Sequence, residues 1–233
     1  MAIPVSTGHR IPRRSPNTRK DPDMVHFPVD PARTALLLID LQRAFVEESP
    51  VAARGGRAVV ERLGRLARIC RDHRITVIHT AHVVRADGSN TGVMRDILPP
   101  VADGLINEDN PLARLHPLTE VHPEDILIRK PRFGAFHGTD LELILRAARI
   151  DTLLIGGVAT HACCDTTARE ACARDFKVLF LSDGTACFPL PDTGGDMIDA
   201  DELQRVVLAV MAFGFGEVLS VDSAIDRIRA ASR

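Results

Sequence analysis

The sequence predicts an α/β fold, a three-layer α/β/α sandwich around a central, mostly parallel sheet of six strands. Three observations predict it. Short continuous apolar runs recur along the chain, as strands buried on both faces require. Segments with apolar residues at helical spacing separate these runs, and a regular alternation of strand with helix is the pattern of a parallel sheet covered on both sides. The runs end in polar or glycine-bearing turns, and such a sheet binds its ligands at the C-terminal ends of its strands.

Taken in order, the first strand is the run ALLLI at 35–39. A helix over 57–73 follows, with Val59, Val60, Leu63, Leu66, Ala67, Ile69 and Cys70 on one face. The second strand is 75–78. Residues 83–123 read as a loop-rich stretch, with Gly88, Gly92, Gly104 and the Pro99-Pro100 pair, expected to cover the site. The third strand is 126–128, before a helix over 139–149 that Thr139 or Asp140 can cap. The fourth strand, 152–155, ends at Gly156-Gly157, and a helix over 163–174 follows. Then come a fifth strand at 178–181, a helix over 199–213, a short sixth strand at 218–219 and a last helix over 222–231. Residues 1–33 stand apart as a proline-rich, basic arm, with Pro4, Pro12, Pro16, Pro22, Pro28 and Pro31. Such a segment forms no helix and is expected to be disordered or to lie across another surface. Residues 34–233 read as one domain, with no internal repeat.

Composition narrows the function. The chain has 233 residues, 45% hydrophobic and 26% charged, which suffices for a buried core. A net charge of −2 gives no electrostatic case for nucleic acid or an anionic membrane as partner. Trp and Tyr are both absent, so base-stacking platforms are not expected. No apolar run approaches the roughly 18 residues of a membrane span. No signal-peptide pattern stands near Met1, so a cytoplasmic protein is expected. The cysteines Cys70, Cys163, Cys164, Cys172 and Cys187 show no CxxC or Cys/His finger spacing and read as reduced thiols.

Three chemically distinct groups stand at strand ends. Asp40 follows the first strand, Lys130 the third, and Cys163 the turn after the fourth. Singly, such an Asp shapes turns, a Lys is exposed, and a Cys is a small buried apolar group. Together they form a chemical set. A thiol ionises more easily at a helix N-terminus and beside a cation. A carboxylate can take its proton and return it to a leaving amine, and backbone N–H groups at the turn can hold an oxyanion.

The segments that carry these residues resemble those of the isochorismatase-like cysteine hydrolases, which include nicotinamidases and N-carbamoylsarcosine, ureidoacrylate, biuret and triuret hydrolases. LLIDLQRAF at 37–45 is similar to the family's strand followed by D-x-Q-x-x-F. KPRFGAFHGTDL at 130–141 is similar to K-x-x-x-S-A-F-x-x-T-x-L. GGVATHACCDTTAREA at 156–171 is similar to G-x-x-T-x-x-C-V-x-x-T-x-R-D-A. The match runs from residue 34 to about 222. It implies a triad of Asp40, Lys130 and Cys163, a cis peptide at Val158–Ala159, and an oxyanion hole from the N–H groups of Ala159 and Cys163. Cys164 takes a position where the family has valine.

Departures from the family pattern shape the expectations. Gly134 replaces a serine and is expected to remove a hydroxyl from the pocket wall. The D-x-H metal motif of nicotinamidases is Thr80-Ala81-His82 here, so no metal and no other cofactor is expected. Isochorismatases proper lack the nucleophilic cysteine, so its presence argues against vinyl-ether hydrolysis. The resemblance thus implies an amidohydrolase acting through a thioester on a small amide, ureido or carbamoyl compound. The alternatives are C–O hydrolysis and a non-catalytic scaffold. Gln42, Phe45, His82, Arg132, Phe133 and His161 are the candidate substrate contacts, with Arg85 and His137 as further candidates. Lys130-Pro131-Arg132 followed by an aromatic residue is similar to ureidoacrylate-type members and favours ureido or carbamoyl substrates. The resemblance also implies a homodimer or homotetramer.

Overall fold

The structure, a computed structural model, describes residues 25–231. Residues 1–24 of the proline-rich arm therefore lie outside the described residues. Its last part does not form a free arm. The Phe27 N–H donates to Glu217 at 2.7 Å, and Phe27 and Val29 pack on the core.

Six strands form one parallel sheet in the order β3 (Ile126–Lys130), β2 (Thr76–His82), β1 (Thr34–Ile39), β4 (Thr152–Val158), β5 (Lys177–Ala186), β8 (Glu217–Leu219). Strand β1 (Thr34–Ile39) is buried at every position. Its residues alternate faces, as the two-residue period of a strand demands: Leu36 and Leu38 enter one core, Ala35, Leu37 and Ile39 the other. A single helical turn α1 (Arg43–Val46) leads to α2 (Gly56–Asp72), which buries Val59, Val60, Leu63, Leu66, Ala67 and Cys70. Strand β2 (Thr76–His82) extends four residues beyond the stretch that the sequence marks, because Thr80, Ala81 and His82 pair with β3 and are buried.

The stretch 83–123 contains two single turns, α3 (Met94–Ile97) and α4 (Pro99–Ala102), around a small apolar cluster of Val84, Met94, Val101 and Ile106. Strand β3 (Ile126–Lys130) and helix α5 (Leu141–Ala147) follow, then β4 (Thr152–Val158). The expected helix over 163–174 is two elements: one π turn over Thr160–Cys164, then α6 (Asp165–Cys172). Strand β5 (Lys177–Ala186) ends beside a short hairpin, β6 (Leu190–Pro191) with β7 (Met197–Ile198), that the sequence does not reveal. Helix α7 (Ala200–Gly214), β8 (Glu217–Leu219) and α8 (Val221–Ala231) complete the chain. Helices α2 and α8 cover one face of the sheet, and α5, α6 and α7 the other. The result is the expected three-layer sandwich.

Among the described residues no helix is long and apolar enough to cross a membrane.

Candidate active site

Strands β2, β1 and β4 are neighbours, and their C-terminal ends converge. Asp40 follows β1 at a φ of 50°, a left-handed conformation that aspartate tolerates better than most residues. Gly157 pairs with Ile39, and any Cβ on it would overlap the Ile39 backbone. Only glycine allows β4 this close to the end of β1. That approach brings the turn bearing Cys163 up to Asp40.

Asp40 and Lys130 are both fully buried. The Thr80 hydroxyl accepts the Asp40 N–H at 3.1 Å and donates to Oδ1 at 2.5 Å. Lys130, from the end of β3, brings Nζ to 2.7 Å from Asp40 Oδ2 and donates to the carbonyls of Arg132 (2.9 Å) and Phe133 (2.8 Å). Beyond this ammonium, Oδ2 has no hydrogen-bond partner among the described residues, so that oxygen keeps a lone pair for a proton. Burial works against the Lys130 ammonium most strongly, but Asp40 and Cys163 together outweigh it and raise the lysine pKa.

Cys163 lies in the π turn, and such turns occur often at functional positions. Its Sγ is 4.0 Å from His82 Nδ1, and the ligating atoms of Asp40, His82 and Cys163 all fall within 4.8 Å of one another. Burial pushes the thiol pKa well above its ordinary value. Lys130 pulls it partly back, and Asp40 adds to the rise. The sequence suggests a thiolate favoured by a helix end and a cation. Burial instead disfavours the thiolate, and the Asp40 carboxylate lies within 4.8 Å of the sulfur.

These three residues could be read as a metal site, but their chemistry opposes it. The Asp40 carboxylate already faces an ammonium, and a divalent cation there would meet that positive charge at close range. A second group sets the buried His116 beside the exposed Glu47 and Glu48, and His116 and Glu47 pair at 2.8 Å.

A cavity of about 530 Å³ opens beside Cys163. Of the expected site residues, Phe45, His82, Phe133, Ala159 and His161 line it with Cys163. The Val158–Ala159 peptide is cis, as the resemblance implies. Burial lowers the pKa of His82 to about 3, helped by the Lys130 charge, and that of His161 to about 4, so both rings are neutral at pH 7.

Two of the expected substrate contacts lie elsewhere. Gln42 is buried with its amide fully engaged: it donates to the carbonyls of His82 (3.1 Å) and Ala113 (2.6 Å) and accepts the His82 N–H (2.7 Å). It ties β2 to the following loop. Arg132 turns away to the carbonyls of Asn90 and Pro131. Arg85 and His137 are exposed and outside the cavity wall. Gly134 is also outside that wall. Any Cβ there would overlap the Glu170 carboxylate, which accepts the Phe136 N–H at 3.1 Å.

Sequence reasoning missed Thr80 and Gln204. Gln204 Oε1 accepts from the Thr160 hydroxyl (2.6 Å) and from Cys187 Sγ (3.3 Å), anchoring the π turn to α7. Thr80 carried a signal, being a polar residue in a buried strand next to Asp40. Gln204 carried none, because its partners are distant in sequence. A smaller cavity of about 250 Å³ lies near Arg54, Arg62, Asp183 and Gln204 and includes none of the three strand-end groups.

Comparison with known proteins agrees with this architecture. Residues 34–223 match the isochorismatase domain family. The chain is 26% identical over 231 residues to the isochorismatase of Bacillus subtilis, covering 99% of this chain and 68% of that protein. It is 29% identical over 192 residues to enterobactin synthase component B of Escherichia coli, covering 81% of this chain but only 64% of the relative's length. Among solved structures, a cysteine hydrolase from Pseudomonas syringae pv. phaseolicola superposes with a TM-score of 0.87 at 34% identity, covering 91% of this chain and all of the other. With the domain match spanning nearly all the described residues and a cysteine hydrolase superposing this closely, the chain belongs to the isochorismatase family of hydrolases.

Proposed function

We propose that the protein is a cysteine amidohydrolase that cleaves a C–N bond through a thioester on Cys163. One observation carries the reading: an enclosed thiol on the wall of the cavity, with a carboxylate within 4.8 Å of it that pairs with a buried ammonium. Asp40 takes the Cys163 proton as sulfur attacks the amide carbon. The oxyanion that forms is assigned to the N–H groups of Ala159 and Cys163. Collapse of the intermediate breaks the C–N bond, and Asp40 gives its proton to the leaving nitrogen, which departs as ammonia or an amine. Water then attacks the thioester while Asp40 takes one of its protons. The acid leaves, and the proton returns to sulfur. Lys130 keeps Asp40 anionic between steps.

Relatives named isochorismatase favour a second reading, hydrolysis of a C–O bond. One experiment separates the two. Ammonia release is measured from a panel of primary amides and ureides with the wild type and Cys163→Ala. Release by the wild type alone supports the amidohydrolase. Substrate loss without ammonia, unaffected by Cys163→Ala, supports C–O cleavage.

A further inference from the structure

We propose that the substrate is an uncharged amide with an apolar acyl chain, rather than a carboxylate-bearing ureide or a compact polar one. This rests on the amidohydrolase reading and adds the substrate class. It departs from the ureido or carbamoyl preference that the sequence suggests.

The cavity wall carries it. Among the described residues that line it there is no Asp, Glu, Lys or Arg. The covering stretch contributes Leu98, Pro100, Leu105 and Ile106, and the hairpin side contributes Phe188 and Leu190. Ligand sites commonly pair an apolar wall with a few polar groups that set orientation. Here the polar side chains on the wall are His82, His161, Thr166 and the Cys163 thiol. The two imidazoles each keep a buried nitrogen without a hydrogen-bond partner, Nε2 of His82 and Nδ1 of His161. Those nitrogens are enclosed, and the neutral rings bring no positive charge to balance a carboxylate. The charges behind the wall are already spent: Asp40 on Lys130, and Asp165 on Arg169 at 2.7 Å. Arg132, the cation that could have met a carboxylate, is held away by backbone carbonyls. A carboxylate on the acyl chain would thus be buried without a partner.

The volume agrees. A cavity of about 530 Å³ is within the range that holds drug-sized ligands, far more than a urea or acetamide fills.

The test follows ammonia release from straight-chain primary amides, acetamide to octanamide, each beside an analogue of matched length that ends in a carboxylate. Hexanamide, for example, stands against the monoamide of adipic acid. Biuret and N-carbamoylglycine complete the set. With the wild type, kcat/KM rises about fourfold per methylene until the cavity is full. The carboxylate analogues fall at least about 100-fold below their neutral partners. Leu105→Arg, which puts a cation on the wall, narrows that gap by at least about tenfold. Faster cleavage of the carboxylate analogues or of biuret than of hexanamide overturns the proposal and leaves the amidohydrolase intact.

If no amide of either kind yields ammonia, the amidohydrolase reading fails by itself. The pocket is then read without turnover, from protection of Cys163 against N-ethylmaleimide, followed by peptide mass spectrometry. Protection by hexanamide at about 100-fold lower concentration than by its carboxylate partner supports an apolar, uncharged occupant. Equal or better protection by the carboxylate overturns it.

Discussion

Replacing Lys130 by Met tests how the buried charges hold one another. Lys130 and Asp40 are both fully buried, 2.7 Å apart. Removing the ammonium leaves a carboxylate with only the Thr80 side chain for support and strips the Arg132 and Phe133 carbonyls of their donor. Breaking a buried pair from one side costs about 3–5 kcal/mol. For a domain of this size that lowers Tm by roughly 6–20 °C. Asp40→Asn, which tolerates the left-handed backbone, strands the opposite charge and costs a similar amount. The double variant leaves neither charge exposed to the apolar interior. Its loss is smaller than the sum of the single losses by about 3 kcal/mol or more. Urea unfolding followed by far-ultraviolet circular dichroism measures all four proteins, since the chain has no Trp or Tyr to report by fluorescence. Strictly additive losses, or a Lys130→Met protein within about 1 kcal/mol of the wild type, would refute the idea of mutual charge support.

Other predictions follow from the same geometry. His82 and His161 are neutral when folded, with pKa values of about 3 and about 4, while an unfolded imidazole takes a proton near pH 6.5. The unfolded chain therefore binds more protons between those limits. Stability is full above pH 6.5 and falls by about 1.4 kcal/mol per pH unit for each histidine below it. Comparing urea midpoints at pH 7 and pH 5, His82→Asn loses about 2 kcal/mol less than the wild type; equal losses count against a neutral buried His82. Gly134→Ser drives the Glu170 carboxylate off the Phe136 N–H and costs about 1–3 kcal/mol, and a variant that melts with the wild type contradicts this contact. Gln204→Leu removes the acceptor for Thr160 and Cys187 and costs about 1–2 kcal/mol, with a larger loss in kcat than in KM as the π turn loosens.

The sheet was legible in the sequence because its strands are buried on both faces. The run at 35–39 could hardly be anything else, and β1 differs from it only by Thr34. The end of β2 was not legible: Thr80 and His82 are polar, yet they are buried because they face the site rather than solvent. The turns α3 and α4 are each four residues long, too short to show a helical period, so their apolar side chains read as loop. The strand-end rule together with the motif resemblance located Asp40, Lys130 and Cys163. It could not separate Gln42, which braces the backbone, from Phe45, which faces the cavity, because both follow the same strand. Arg132 was misplaced for a related reason: sequence gives its position on the chain but not the carbonyls that hold its side chain. Much of the apolar wall comes from the covering stretch and the β6–β7 hairpin, two segments without periodic signal.

The central claim is a thioester on Cys163, and acid quenching during turnover of hexanamide tests it most directly. Peptide mass spectrometry of the quenched wild type is predicted to find the hexanoyl group on the peptide that contains Cys163, and on none of the peptides carrying Cys70, Cys172 or Cys187. Fragmentation of that peptide should place the group on Cys163 rather than on the adjacent Cys164. Undiminished ammonia release by Cys163→Ala, or an acyl group on another residue, would contradict the account.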